Sequence, residues 1–283
     1  MQASQVHSNS VWQCGDHHLS LDRPLVMGIL NATPDSFSDG GAYFNPEAAI
    51  AQAYAMIDAG ADIIDIGGES TRPNAEPVSA CTELCRILPI LHALRDCGKP
   101  ISIDTHKPYV MRAVLDAGAS IINDVKGFDN PVAIDAVADS DCGLCIMHMQ
   151  GEPRTMQDSP QYEDVTVEVG SFLKQQITRL HTAGIAYNRL CIDPGIGFGK
   201  NLQHNRALLN HLTQLNKDMP AAILVGLSRK RFIGEITGKD VSERTAGSVA
   251  AALYAVTQGA HIVRVHDVAE TVDALKIWRN LSS

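Results

Sequence analysis

Short runs of Ile, Val and Leu recur along this chain, each closing in a burst of polar residues and each leaving room for a helix before the next. They fall at residues 25–30, 62–66, 100–103, 120–122, 143–147, 190–192, 222–225 and 261–265. Apolar runs of this length suit parallel strands buried on both faces. The intervening segments have helical spacing, as at 47–59, 111–117, 165–183 and 244–258, and several close on Ala-Gly, where a helix C-terminus favours glycine. Strand alternating with helix throughout predicts an α/β fold with a parallel sheet, most economically a TIM-type (β/α)8 barrel in a single domain.

A chain of 283 residues has room for two small domains, yet barrels of this kind run to about 250 residues as one unit, and no Pro/Ser/Gly-rich linker divides this one. The expected organisation is a polar N-terminal leader over 1–24 followed by the barrel over 25–283. Hydrophobic residues make up 45% of the chain, enough for a large core, and the net charge of −9 argues against nucleic acid as a partner. Small molecules are the expected ligands. No stretch reaches the roughly 18 apolar residues of a membrane span, so a cytoplasmic protein is expected, without membrane partners.

The seven cysteines are odd in number and scattered, which fits reduced thiols better than a disulfide framework. Cys142 and Cys145 fall on a predicted strand, where positions i and i+3 point to opposite faces and cannot chelate one metal. Cys81 and Cys85 share a helix spacing but have no matching pair. His17 and His18, in the polar leader, are expected in solvent.

The catalytic groups of a (β/α) barrel come from the C-terminal ends of its strands, because all the strand-to-helix loops meet there. The polar bursts at 31–41, 67–73, 104–107, 123–126, 148–151, 193–200, 226–230 and 264–266 therefore belong together. Taken singly, each is explained by helix capping and turn formation. Capping does not explain why Asp104, Asn123 and Asp193 all directly follow buried runs and share one end with Lys230 and Arg264. Burying such groups is costly unless they pair or bind a polar ligand, so a functional pocket is the better account.

The residue types suggest a ligand with two halves. Carboxylates and an amide match the N–H donors of a flat heterocycle with a guanidine-like edge, as in a pterin. Lys230, Arg264 and His266, with donors from Ser70, Thr71 and Arg72, suit a multiply charged anion such as pyrophosphate. Asn31 offers a hard oxygen to Mg2+, which takes its other ligands from water and phosphate.

With these residues in place, the chain resembles the dihydropteroate synthase family. The motifs are Met27-Gly-Ile-Leu-Asn-Ala-Thr-Pro-Asp-Ser-Phe-Ser-Asp-Gly-Gly41, Gly67-Gly-Glu-Ser-Thr-Arg-Pro73, Asp193-Pro-Gly-Ile-Gly-Phe-Gly-Lys200, Ser228-Arg-Lys230 and Arg264-Val-His-Asp267, in order across residues 26–268. The resemblance implies condensation of 6-hydroxymethyl-7,8-dihydropterin pyrophosphate with p-aminobenzoate, giving 7,8-dihydropteroate and pyrophosphate. It implies that Asp104, Asn123, Asp193 and Lys230 hold the pterin ring, with Met147 on its face and Thr71 and Gly197 in the same subsite. Arg264, His266 and Asn31 with Mg2+ would hold the pyrophosphate. Phe37, Thr71, Arg72, Pro73, Phe198 and Ser228, with the stem of Lys230, would surround p-aminobenzoate.

The expected mechanism is an SN1-like displacement with no enzyme nucleophile, in which Mg2+, Arg264 and His266 stabilise charge on the departing pyrophosphate, Asp104 and Asp193 favour positive charge in the pterin, and Lys230 is counted among the catalytic residues. Asp35, in the first loop, either helps to assemble the closed loops, stabilises the cation or caps a turn. Asn74, where the family commonly has Gly, and Ala32 are the departures noted. The rival readings are a pterin-dependent methyltransferase domain, which needs no pyrophosphate site, and a non-catalytic pterin-binding paralogue. The Ala- and Gly-rich stretch 245–260 has apolar face to spare, and with the family's usual homodimer it suggests burial against a second copy.

Overall fold

The computed structural model describes residues 10–33, 45–70, 76–152, 155–156 and 159–282. A hairpin comes first, with β1 (Val11–Cys14) antiparallel to β2 (His17–Ser20). The barrel strands follow: β3 (Leu25–Asn31), β4 (Ile63–Gly67), β5 (Ile101–Asp104), β6 (Ile121–Asp124), β7 (Gly143–Met147), β8 (Leu190–Asp193), β9 (Ala222–Gly226) and β10 (Ile262–Val265). Each pairs in parallel with its successor, and β10 pairs with β3 to close the ring. The (β/α)8 barrel expected from the hydrophobic pattern is the fold.

Helices α1 (Pro46–Asp58), α2 (Ala80–Leu94), α3 (Pro108–Asp116), α4 (Pro131–Val137), α5 (Val165–Thr182), α6 (Leu202–Asp218), α7 (Arg231–Thr237), α8 (Thr245–Thr257) and α9 (Val268–Leu281) surround it. Local chemistry fixes their starts: the Asn45 side chain accepts from the Ala48 N–H ahead of Pro46, Asp164 accepts from Thr166 and Val167, and Asn201 forms a capping box with His204. At the end of α1, Gly60 reverses the chain at φ +100°, a conformation costly for residues with a Cβ.

Several strands run further than the apolar runs that announce them. Asp104, Asn123, Asp124 and Asp193 are themselves strand residues and do not merely follow strands. The ladder needs only backbone donors and acceptors, so it continues through a polar side chain when that side chain has somewhere to point.

Alternation along the strands separates two cores. Val26, Ile64, Ile66, Ile103, Ile122 and Val263 point outward against the helices, whereas Met27, Ile63, Ile121, Cys145, Cys191 and Leu224 point into the barrel. Cys142, which precedes β7 and is not itself a strand residue, joins the outer layer and Cys145 the inner, and all seven cysteines are free thiols. The segment before the barrel supplies the floor: Trp12 and Cys14 of β1 pack on the interior residues, and the Trp12 indole donates to the Arg189 carbonyl at 2.9 Å. Sequence patterning gave no sign of this hairpin. Its alternation spans four residues per strand, too short to separate from a polar leader.

Trp12→Ala should therefore open the barrel floor and cost about 3–5 kcal/mol, the usual range for removing a buried Trp. Urea denaturation followed by circular dichroism measures it. A loss below about 1 kcal/mol would show that the hairpin is not part of the core.

Candidate active site

The interior changes character towards the C-terminal ends of the strands. Register determines which side chains meet there, because laterally paired residues of parallel strands point the same way. Asp65 lies beside Ser102, Gly67 beside Asp104, Asp104 beside Asn123, Met147 beside Asp193, and Gly226 beside Arg264. A polar layer results, directly above the apolar floor. At its centre the Arg264 guanidinium donates from Nε to Asp65 Oδ2 at 2.6 Å and from Nη2 to Asp104 Oδ2 at 2.9 Å. Asn123 donates to the same Asp65 oxygen at 3.3 Å.

The electrostatics follow from burial. Burial pushes the Asp104 carboxyl well above the usual carboxylate range, with Arg264 pulling it down and Asp65 adding to the rise. Asp193 is also raised, chiefly by burial, against Lys230 and the Gly195 N–H that donates to its Oδ1 at 2.7 Å. Burial opposes the charge on Arg264, yet Asp65 and Asp104 together hold its pKa above the ordinary guanidinium value.

Asp65 has 0% exposure and is not among the residues that the sequence pattern singles out. Its signal was present: one carboxylate at an inward position of Ile63-Ile64-Asp65-Ile66, where the alternate positions are apolar. Its Oδ1 and the neighbouring Ser102 Oγ have no hydrogen-bond partner among the described residues.

The loop after β8 closes over this layer. At Gly195, φ +68°, a Cβ would stand 1.8 Å from the His148 carbonyl oxygen, so no side chain fits. Gly197, φ +82°, lies against the Lys230 stem, which a Cβ would meet at 3.0 Å. The Lys230 ammonium donates to the Ile196 carbonyl and stands 4.3 Å from the centre of the Phe198 ring. Burial lowers Lys230 to about 8 and Lys200 to about 7, in both cases against the pull of Asp193. His148, beside Lys200, is lowered by burial to about 3 and is a neutral imidazole.

The loops after β9 and β10 are tied to each other. The His266 backbone N–H donates to Ser228 Oγ at 3.2 Å, and the His266 Nδ1 lies 3.0 Å from the same hydroxyl. Arg229, held at φ +58°, donates from Nε to Asp267 at 3.1 Å, and its guanidinium forms a second bond to the same carboxylate. Arg244, from the start of α8, donates to the Arg229 carbonyl at 3.1 Å. Near the second loop, Lys107 bonds both Glu69 and the buried Glu83 of α2, and Glu69 also accepts from Val78 at 3.3 Å. Sequence patterning singled out none of Arg244, Glu83 or this use of Lys107.

Of the predicted site residues, Asn31, Asp104, Asn123, Met147, Asp193, Gly197, Phe198, Ser228, Lys230, Arg264 and His266 all occupy strand ends or loops at this one mouth. Asp35, Phe37, Thr71, Arg72, Pro73 and Asn74 lie outside the described residues. Among the described residues, no group of three His, Cys, Asp or Glu side chains is placed to hold a metal ion, and no helix is long and apolar enough to cross a membrane.

Comparison with known proteins gives consistent matches. Residues 27–266 match the family described as pterin binding enzyme. The chain is 50% identical over 277 residues to dihydropteroate synthase of Neisseria meningitidis serogroup B, covering 96% of this chain and 97% of that one. Its fold is similar to the solved structure of Xanthomonas albilineans dihydropteroate synthase with 4-aminobenzoic acid, at TM-score 0.91 and 49% identity over 97% of this chain and 98% of that one. Burkholderia cenocepacia dihydropteroate synthase complexed with 7,8-dihydropteroate matches at TM-score 0.88 and 51% identity, over 96% of each chain.

Asp65→Ala would leave Arg264 with a single carboxylate and Asn123 without its acceptor. A loss of about 3–5 kcal/mol is expected, as when one partner of a buried ion pair is removed. Chemical denaturation tests this, and unchanged stability would remove Asp65 from the centre of the layer.

Proposed function

The chain belongs to the dihydropteroate synthase family of pterin-binding enzymes, which makes 7,8-dihydropteroate from a pterin and p-aminobenzoate, and on that premise we propose how its barrel mouth does so. The pterin substrate is 6-hydroxymethyl-7,8-dihydropterin pyrophosphate. Its ring lies in the polar layer, with Asp104, Asn123 and Asp193 accepting or donating at its edge, Met147 against its face, and Gly197 and Lys230 above. The observation that supports this reading best is Arg264, fixed between Asp65 and Asp104 inside a ring of amide and carboxylate groups. The carboxylate oxygens of this layer are acceptors that complement a ring edge rich in N–H groups.

Arg264 also reaches the diphosphate with the N–H groups it does not give to the two carboxylates. His266 assists, and its contact with Ser228 suggests how. If the hydroxyl accepts the backbone N–H and donates to Nδ1, the neutral imidazole carries its proton on Nε2, as a donor for an anion. Thr71 adds a further donor from the second loop. The p-aminobenzoate pocket is formed by Phe37, Thr71, Arg72, Pro73, Phe198 and Ser228, with Arg72 or Ser228 meeting the carboxylate. Lys230, packed on Phe198, is the wall between the two pockets.

In the reaction the exocyclic carbon–oxygen bond of the pterin breaks and pyrophosphate leaves with the bonding electrons. The arylamine nitrogen attacks that methylene carbon and then loses a proton. The protein needs no nucleophile, and its work is electrostatic. Asp104 and Asp193 favour positive charge spreading into the ring as the bond lengthens, while Arg264, His266 and Lys230 stabilise the charge that departs. Asp35 serves the closed loops or the cation. Asn31 supplies a single neutral oxygen at the mouth, a donor set that fits Mg2+ with its other ligands drawn from water and diphosphate. Bound there, Mg2+ would neutralise leaving-group charge.

Residues 25–283 form the catalytic barrel, with the β1–β2 hairpin before them packed as its floor, and a cytoplasmic location suits the free thiols. A homodimer through 245–260 would cover Tyr254 of α8, which is exposed.

Purified protein supplied with both substrates and Mg2+ should form dihydropteroate and pyrophosphate in equal amounts, with excess EDTA abolishing both. Pterin binding without turnover would favour the non-catalytic reading. Pterin affinity should also fall as pH rises through about 8, where the Lys230 ammonium loses its proton. Calorimetry across pH 6–10 should find that step in the native chain and not in Lys230→Gln. A step near 8 that persists in the variant, apart from any near 7 where Asp104 and Lys200 titrate, would remove Lys230 from the pterin pocket.

A further inference from the structure

Lys200 is 2% exposed and lies just past the loop that carries Gly197 and Phe198. Its surroundings are acceptors. The ammonium nitrogen is 3.0 Å from His148 Nδ1, 2.9 Å from the Phe198 carbonyl oxygen and 3.4 Å from the His148 carbonyl oxygen. An ammonium has three N–H donors, so these acceptors match its full capacity. His148 is suited to the arrangement because a neutral imidazole with its proton on Nε2 accepts at Nδ1. The imidazole is fixed in turn by Phe172, whose ring meets it edge-on at 5.0 Å.

The two segments joined here come from different strands. His148 directly follows β7, and its backbone N–H donates to the Asp193 carbonyl at 3.0 Å. Lys200 ends the loop that begins after Asp193. The loop is thus held against the His148 segment at Gly195, where only glycine allows contact, and at Phe198, through the lysine. Between these points lie the Ile196 carbonyl that receives Lys230 and the Phe198 ring beneath it.

We propose that Lys200, seated on His148, is a positioning residue for p-aminobenzoate: it sets the Phe198 wall of that pocket from behind without touching the substrate. The inference rests on the reading of Phe198 as part of the aminobenzoate pocket, and the experiment separates the two.

Steady-state kinetics with both substrates, together with thermal denaturation, would be compared for Phe198→Ala, Lys200→Met, His148→Asn and His148→Leu. Lys200→Met keeps the stem and removes the donors. It should raise the KM for p-aminobenzoate about tenfold, a larger effect than on pterin affinity, since small displacements of a binding wall are costly. His148→Asn retains an acceptor near Nδ1 and should stay close to the native chain, whereas His148→Leu should reproduce the Lys200→Met effect. If Phe198→Ala leaves the aminobenzoate KM unchanged, the pocket assignment fails and the inference with it. If Phe198→Ala raises that KM while Lys200→Met only lowers the melting temperature, Lys200 is merely structural and the inference alone falls. Should Lys200→Met not fold, the two His148 variants decide, and equal KM values for them would overturn the proposal.

Discussion

One guanidinium shared by two carboxylates organises the interior of this barrel. Arg264 enters from β10, Asp65 from β4 and Asp104 from β5, and none of them would be tolerated there alone. Burial disfavours each charge, and only their mutual neutralisation, at distances of 2.6 and 2.9 Å, makes the polar layer compatible with the apolar floor below it. Asp65 also receives Asn123, so one buried oxygen orients two groups of the proposed pterin site. The polar groups are thereby fixed before any ligand arrives, which lowers the reorganisation required during reaction.

Burial strains the charged groups of the layer on both sides, and that strain has chemical content. Asp104 and Asp193 both lie above the usual carboxylate range because burial outweighs the help they receive. On the proposed reading, a pterin brings N–H donors to the acids and develops positive charge as its carbon–oxygen bond lengthens. The buried carboxylates are thus stabilised most at the moment of bond breaking. Lys230 and Lys200 stand on the other side of Asp193, each with its own ammonium destabilised by burial.

The mouth is also a mechanical object. Its loops are joined in pairs: the β7 and β8 loops through His148 and Lys200, and the β9 and β10 loops through Ser228 with His266 and Arg229 with Asp267. Glycines at 195 and 197 bring backbone closer than side chains would allow. The hairpin of β1 and β2 supports the layer from below by filling the barrel floor with Trp12.

Periodicity alone determined the order of the barrel strands, the parallel sheet and the end at which the polar residues collect. Each of these depends on neighbours in sequence: an apolar run must be buried, and its polar terminus must find solvent or a partner. Motif order across residues 26–268 carried the resemblance for the same reason, since each motif is one loop. Tertiary structure decided which side chains meet. Asp65 reads as one polar letter in an Ile-rich strand, and its partner Arg264 is 199 residues away, brought alongside only because β10 pairs with β3 to close the ring. His148 and Lys200, 52 residues apart, and Trp12 with Arg189, 177 apart, are hidden for the same reason. A local pattern specifies the direction in which a side chain points, and only closure of the barrel specifies what it finds there.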